Sequence, residues 1–226
     1  MALFRRGFFA PNKDVVLVED DYLGGTNTSG QVGQMGWNFG AIAGTNTLSQ
    51  SVVAEANHYG IVKLTTGSAA AGNGIAMWLG NSAITLLNLD TTVWDMFCVF
   101  QLGQTTATRF RAGFHNENNS VLGSGGNFLR YDTNATYADT TFKYECRNLS
   151  TSTVVDSGIA ADTNWHTLRM RSTGGTINFS LDGGVESAIS TNLKSNAYPE
   201  VWLCTDTTAA KTASIDAYKL ALNVSR

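Results

Sequence analysis

Charge is scarce in this sequence. Asp, Glu, Lys and Arg make up 15% of the 226 residues, and the formal net charge is −3. Apart from the isolated Arg5-Arg6 pair there is no basic cluster, so the cationic surface that a phosphate backbone requires is missing and nucleic acid is not an expected partner. Cysteine is sparse as well. Cys98, Cys146 and Cys204 are odd in number, widely spaced and set in apolar strand-like runs, which argues against a disulfide framework or a zinc site. They read as buried free thiols, with one Cys98–Cys146 or Cys146–Cys204 bridge as the alternative. No stretch approaches the roughly 18 uninterrupted apolar residues of a membrane span, so no membrane insertion is expected. Residues 1–14, MALFRRGFFAPNKD, lack the long apolar core of a secretory signal because Arg5-Arg6 interrupt it.

What is present is apolar and small. Hydrophobic residues at 43% exclude global disorder, and 23 Gly against 2 Pro suit many short strands joined by small-residue turns. With so little charge, the polar surface must come from Thr, Ser, Asn and Gly.

The clearest pattern is Asn164–Val185, NWHTLRMRSTGGTINFSLDGGV. His166, Leu168 and Met170 alternate with Trp165, Thr167, Arg169 and Arg171. After a Ser172–Gly175 turn, Ile177, Phe179 and Leu181 alternate with Thr176, Asn178 and Ser180. Two period-2 runs joined by a Gly-rich turn form an antiparallel hairpin with one apolar face, and Asp182-Gly183-Gly184 supplies a second tight turn. Such a hairpin is marginal alone and needs a second layer against its apolar face. Here His166 reads as a hydrogen-bonded, semi-buried imidazole.

The same alternation recurs along the chain. Val93–Leu102 is largely apolar on both faces, as a strand in the middle of a two-layer structure, or one with a face under a loop, would be. Arg109–His115 sets Phe110, Ala112 and Phe114 against Arg109, Arg111 and His115, and is expected to pair with the preceding strand through the Gly103–Thr108 turn. Thr141–Arg147 turns Phe142, Tyr144 and Cys146 together. Ser214–Val224 puts Asp216, Tyr218, Leu220 and Leu222 on one face. Leu48–Asn57 is the one candidate for a helical turn, with a loop equally compatible. Roughly a dozen strands, no linker and no repeat period give an all-β, two-sheet antiparallel β-sandwich, or jelly roll. It would span residues 15–226 as a single domain. Residues 1–14 would be a mobile arm whose Phe4, Phe8 and Phe9 dock on the domain, a neighbouring subunit or a larger particle.

Several strings carry a resemblance. Trp165–Met170, Ile177–Gly183 and Ile215–Tyr218 resemble the concanavalin A-like jelly roll of legume-type lectins, laminin G-like modules and sandwich glucanases. Asp20–Gly24, Gly33–Phe39 and His58–Leu64 look like lectin-like domains of tailed-phage structural proteins. Such relatives bind glycans, bind proteins, cap virions or cleave polysaccharide. The resemblance implies a location on a phage particle, as capsid decoration or tail fibre, with other virion proteins or copies of the same chain as partners. Otherwise the protein would be extracellular after lysis.

The candidate chemistry is thin. A retaining glucanase needs two carboxylates about 5–5.5 Å apart, and the acid-rich Glu-x-Asp-x-Glu run of sandwich glucanases is missing; Glu117, Asp132, Asp139 and Glu145 stand isolated in sequence. A polysaccharide lyase would draw on Arg109, Arg111, His115, Tyr144 and Arg147, the first three sharing one strand face; otherwise that face is simply solvated. Glycan binding needs an aromatic platform and polar groups to meet hydroxyls. Trp165 with Arg169, Trp202, Tyr131 and Asn116 are the leading candidates, and Trp78, Tyr137, Asn118, Asn119 and Asn134 the others. No cofactor fingerprint or catalytic triad appears. Glu19-Asp20-Asp21 is the one run that invites calcium, and it reads more simply as a solvated turn beside the aromatic anchor Tyr22. The leading expectation is a non-enzymatic virion-associated structural or interaction protein that binds surface glycans, with a carbohydrate-active enzyme, lyase before hydrolase, as the alternative.

Overall fold

The computed structural model describes residues 15–22, 31–43, 47–51, 58, 60–68, 72–79, 87–115 and 125–223. The expected arm with Phe4, Phe8 and Phe9 lies outside these residues. In chain order the described strands begin with β1 (Val15–Asp20), β2 (Gln31–Val32), β3 (Trp37–Ala43), β4 (Thr47–Ser51), β5 (Ile61–Thr65) and β6 (Gly74–Trp78). Then come β7 (Leu87–Asn88), β8 (Val93–Leu102), β9 (Thr108–His115), β10 (Gly125–Asp132), β11 (Thr141–Asn148) and β12 (Thr151–Ala160). The last are β13 (Trp165–Thr173), β14 (Ile177–Leu181), β15 (Ser187–Ile189), β16 (Asn196–Thr205) and β17 (Thr212–Asn223).

They form two antiparallel sheets packed as a sandwich. The eight-stranded sheet runs β15-β14-β13-β8-β17-β5-β4, with β1 also on β17; the nine-stranded sheet runs β12-β11-β10-β9-β16-β6-β3-β2, with β7 on β16. Alternation explains what fills the space between them. Trp94, Met96, Cys98, Phe100, Leu168, Met170, Phe179, Tyr218 and Leu220 come from the first sheet, and Phe110, Ala112, Phe114, Leu129, Phe142, Tyr144, Val201 and Leu203 from the second; all are buried. Trp94 meets Phe114 edge-on at 4.7 Å and Tyr144 stacks on Phe179 at 5.2 Å, so aromatic rings tie one layer to the other.

The Trp165–Leu181 hairpin is as expected. Leu168 pairs with Leu181 and Met170 with Phe179, and Gly174 and Gly175 take φ of 80° and 82° in the turn. His166 is 4% exposed, with Nδ1 2.7 Å from Asp182 and Nε2 3.1 Å from Asp162.

Four expectations are corrected. β9 does not pair with β8. The short Gly103–Ala107 connection arches from one sheet to the other, and Phe100 stacks on Phe110 across the sandwich at 4.8 Å. In β17 the register on β8 shifts between Ile215 and Ala217, a bulge that turns Asp216 out and leaves Ala213, Ile215, Tyr218 and Leu220 facing the core. Leu48–Ser51, the start of the candidate helical turn, belongs to β4 (Thr47–Ser51), a strand on β5; residues 52–57 lie outside the described set. In the acidic run, Glu19 and Asp21 are exposed but Asp20 is 2% exposed. Its carboxylate accepts the N–H groups of Tyr22 (2.8 Å), Gln34 (3.2 Å) and Met35 (2.9 Å). Gly33, at φ 75°, completes this turn, because a Cβ there would sit 2.3 Å from Asp20 Oδ2.

Cys98, Cys146 and Cys204 are all free and buried. Burial pushes the Cys98 thiol up to about 12 and, offset in part by the Arg109 charge, the Cys204 thiol up to about 11. Two measurements test this frame. Near about pH 8 the folded protein should leave all three thiols unreacted with an aromatic disulfide reagent, whereas the unfolded chain reacts fully; fast reaction in the folded state would contradict the packing. Asp20→Ala removes one acceptor from three backbone donors and should lower unfolding free energy by roughly 1.5–3 kcal/mol in urea titrations.

Candidate functional site

The residues with most chemistry gather on the outer face of the nine-stranded sheet. Alternation sends Arg109, Arg111 and His115 of β9 to that face. The ladder places Trp202 beside Arg111, Cys204 beside Arg109, and Arg130 on the other side of Arg111. The face is not solvated, as a charged strand side would suggest: Arg109, Arg111 and His115 are 9%, 5% and 8% exposed. Toward β6 it is apolar, with Ala76, Trp202 and Cys204 packed with Ile42 and Trp78. Toward β11 it is charged.

Charge on this second half is paired in a chain of contacts. Arg130 grips Asp139 through both Nε (to Oδ2, 3.0 Å) and Nη2 (to Oδ1, 3.2 Å) and donates Nη1 to Glu145. The other oxygen of Glu145 accepts Nε of Arg147 at 2.8 Å, and Arg147 Nη2 donates to the Tyr137 hydroxyl at 2.9 Å. Tyr137 closes the circuit by lying 4.2 Å from the Arg130 guanidinium carbon. Glu145 is fully buried. Arg109 pairs with Asp206 and stands 3.6 Å from Asp132. Burial alone would lower the pKa values of Arg109, Arg130 and Arg147, yet hydrogen bonds and carboxylate or tyrosine partners raise all three.

Arg111 behaves differently. Its guanidinium carbon lies 5.0 Å from the Phe128 ring of β10 and 5.0 Å from the Trp202 ring of β16, one aromatic from the strand on either side. Its Nε and Nη2 have no hydrogen-bond partner among the described residues. Burial lowers its pKa, with the charges of Glu145 and Asp132 opposing. Cation–π contact offsets only part of the several kcal/mol that a buried charge costs. Arg111, His115, Phe128, Glu200 and Trp202 line a partly open cavity of about 10 Å³, near the size of one water. His115 Nδ1 is 3.6 Å from the Glu200 carboxylate there. Gly126 makes room for these rings, since a Cβ would fall 2.8 Å from Phe128 Cδ1 and 2.9 Å from His115 Cδ2. A second hollow, open and about 560 Å³, is lined by Thr106, Ala107, Arg109, Thr133, Asn134, Ala135 and Asp206.

The glycan-binding candidates do not converge. Trp165 and Arg169 are on β13 in the eight-stranded sheet, whereas Tyr131 and Trp202 are on β10 and β16 in the other. Trp165 is half-buried, with the His58 ring stacked on it at 4.0 Å and His58 Nδ1 held 3.0 Å from Asp216. Arg169 is spent on Asp95 (Nε 3.0 Å, Nη2 2.6 Å). Tyr131 is a core ring whose hydroxyl donates to the Thr105 carbonyl at 2.8 Å, and Trp202 is 6% exposed beside Arg111. Neither offers an open platform. Asn116, Asn118 and Asn119 lie outside the described residues, as does Glu117. Of the lyase candidates, Arg109, Arg111, His115 and Arg147 share the outer face, but Tyr144 is 2% exposed on the core side against Phe179. Asp132, Asp139 and Glu145, isolated in sequence, are brought together with the arginines. The signal for this was the ladder Lys143, Glu145, Arg147 opposite Phe142, Tyr144, Cys146; Phe128 and Glu200 had no comparable signal.

No family model matches the chain, and none of the curated proteins matches it. Among solved structures it is similar to a protein of unknown function from Shewanella oneidensis MR-1, at 14% identity and a TM-score of 0.69 over 99% of both chains. It is also similar to a glycosyl hydrolase family protein from Mycobacterium fortuitum, at 13% identity and a TM-score of 0.57 over 90% of this chain and 98% of that one. The binding domain of botulinum neurotoxin DC, solved in complex with rat synaptotagmin II, aligns at 7% identity and a TM-score of 0.53. That alignment takes in 87% of this chain and 46% of the other, so this chain spans about half its length. What is shared at these identities is the sandwich fold.

The buried network makes its own prediction. Glu145→Ala strips Arg147 of its carboxylate and leaves Arg130 with Asp139 alone, which should cost roughly 3 kcal/mol of stability in urea unfolding. Glu145→Gln, which keeps the shape and one acceptor, should cost less. A loss below about 1 kcal/mol for the alanine variant would show that the network does not hold the face together.

Proposed function

We propose that this chain is a non-enzymatic recognition module that binds glycans through the outer face of its nine-stranded sheet, as part of a phage particle or a comparable extracellular assembly. The observation that carries the reading is the engagement of four carboxylates of that face and its rim by arginines, while Glu200 stands 3.6 Å from His115 Nδ1. Asp139 and Glu145 are held by Arg130 and Arg147, and Asp132 and Asp206 face Arg109. Hydrolysis by two carboxylates needs one free to attack and another to deliver a proton, and side chains already committed to arginines suit neither role. Recognition chemistry remains available: the open hollow with Arg109 and Asn134, the cavity at Arg111, and the half-buried Trp78 beside it.

The lyase alternative keeps His115 and Arg111 in one cavity but loses Tyr144 to the core. The particle assignment rests on the resemblance of the N-terminal strings and on the charge-poor, Thr- and Asn-rich composition. Other virion proteins or further copies of the chain would be its neighbours.

A glycan array probed with the intact chain is expected to show binding, while the same polysaccharides incubated with it release neither reducing ends nor ultraviolet-absorbing unsaturated products. Product release would replace the binding reading with an enzymatic one. Mass spectrometry of purified particles from the source culture should find its peptides; their absence would remove the particle assignment.

A further inference from the structure

The structure holds two arginines that show what the Nε/Nη2 edge of a guanidinium does in this protein. Arg130 presents it to Asp139 at 3.0 and 3.2 Å, and Arg169 presents it to Asp95 at 3.0 and 2.6 Å. In both cases two parallel N–H groups meet the two oxygens of one carboxylate, the strongest and most directional pairing open to arginine. Arg111 has the same edge, 5% exposed in total, and there neither Nε nor Nη2 has a hydrogen-bond partner among the described residues. Glu200, in the same cavity, stands 3.6 Å from His115 Nδ1 rather than on this edge. Phe128 and Trp202 flank the guanidinium from both neighbouring strands and fix where it sits.

We infer that Arg111 is a carboxylate-recognition residue, and that its ligand is an acidic sugar whose carboxylate enters the cavity lined by Arg111, Phe128, Glu200 and Trp202. The inference rests on the glycan-binding reading and narrows it to a substrate class. Cavity size agrees with a carboxylate. About 10 Å³ takes a water-sized group, so a carboxylate oxygen enters and the sugar ring stays at the mouth. Charge agrees as well. Arg109, Arg130 and Arg147 are each paired with a carboxylate, whereas Arg111, in the cavity between Phe128 and Trp202, has no hydrogen-bond partner for Nε or Nη2 among the described residues. A neutral sugar brings no charge to offset that of the buried guanidinium, and a hydrogen bond from a cation to a hydroxyl is weaker than one to an ionised carboxylate oxygen.

The test reads Arg111 directly. The Nε–H resonance of Arg111 in the folded wild-type protein is followed by nitrogen-15 NMR during titration with sodium glucuronate, with glucose and with sodium acetate. Glucuronate is expected to shift it, glucose to leave it in place, and acetate to act more weakly than glucuronate. Arg111→Lys, with its fold checked by circular dichroism, should lower binding to uronate-containing polysaccharide about tenfold or more, since lysine cannot reproduce the fork. A response to glucose equal to that of glucuronate overturns the carboxylate assignment, an equal response to acetate overturns the sugar assignment, and no response to any of the three overturns both. Array binding confined to neutral glycans and untouched by Arg111→Lys would overturn this inference while leaving the proposed function standing. A glucuronate-dependent shift without binding of any polymeric glycan would do the reverse.

Discussion

A charge taken out of water must meet its opposite, and on the nine-stranded sheet that requirement shapes the outer face, with Arg111 as the exception. All eight residues of β9 and all eight of β10 are buried, so these strands have no solvent side on which to place their arginines. Arg130, Glu145, Arg147, Asp139 and Tyr137 answer by satisfying one another, and Arg109 by turning to Asp206. The apolar interior gives the sandwich its bulk, but the paired charges allow β9 and β10 of the second sheet to be buried on both sides.

How far the sequence foretold this depends on the range of the forces involved. Period-2 alternation is local, so the Trp165–Leu181 hairpin, the inward faces of β9 and β11, and the sandwich class were all legible. So was the placing of His166 among Leu168 and Met170 with polar partners. Features set by residues far apart were not. A bulge at Asp216 inverts the inside and outside of half a strand, and nothing in SIDAYKL announces it. The β8–β9 connection looked like a hairpin turn because its length suits one, yet it arches from one sheet to the other, with Phe100 and Phe110 stacked between the two strands it joins.

The candidate site follows the same division. That Arg109, Arg111 and His115 share a face was readable from parity alone. That the face would be covered was not, nor that carboxylates scattered from Asp132 to Asp206 would arrive there. Register does this: β10 on β11 sets Phe128 beside Glu145 and Arg130 beside Lys143, and β16 on β9 sets Trp202 beside Arg111. Trp165 gives the opposite lesson. Its strand parity points outward as expected, yet His58, distant in sequence, lies over its ring. Orientation is a local property and exposure is not.

The position of β17 has a consequence for how the molecule is made. It is the last of the described strands, yet it lies inside the eight-stranded sheet, bonded to β8 on one side and to β5 and β1 on the other. During synthesis β1 and the β4–β5 pair therefore emerge long before the strand that anchors them to β8. Until residues 212–223 leave the ribosome, one edge of β8 is unpaired and half the core lacks a wall. Late closure by long-range pairing makes for slow folding and leaves an adhesive intermediate. A chain of this design therefore has to be translated through β17 before it can hide the interior of this sandwich.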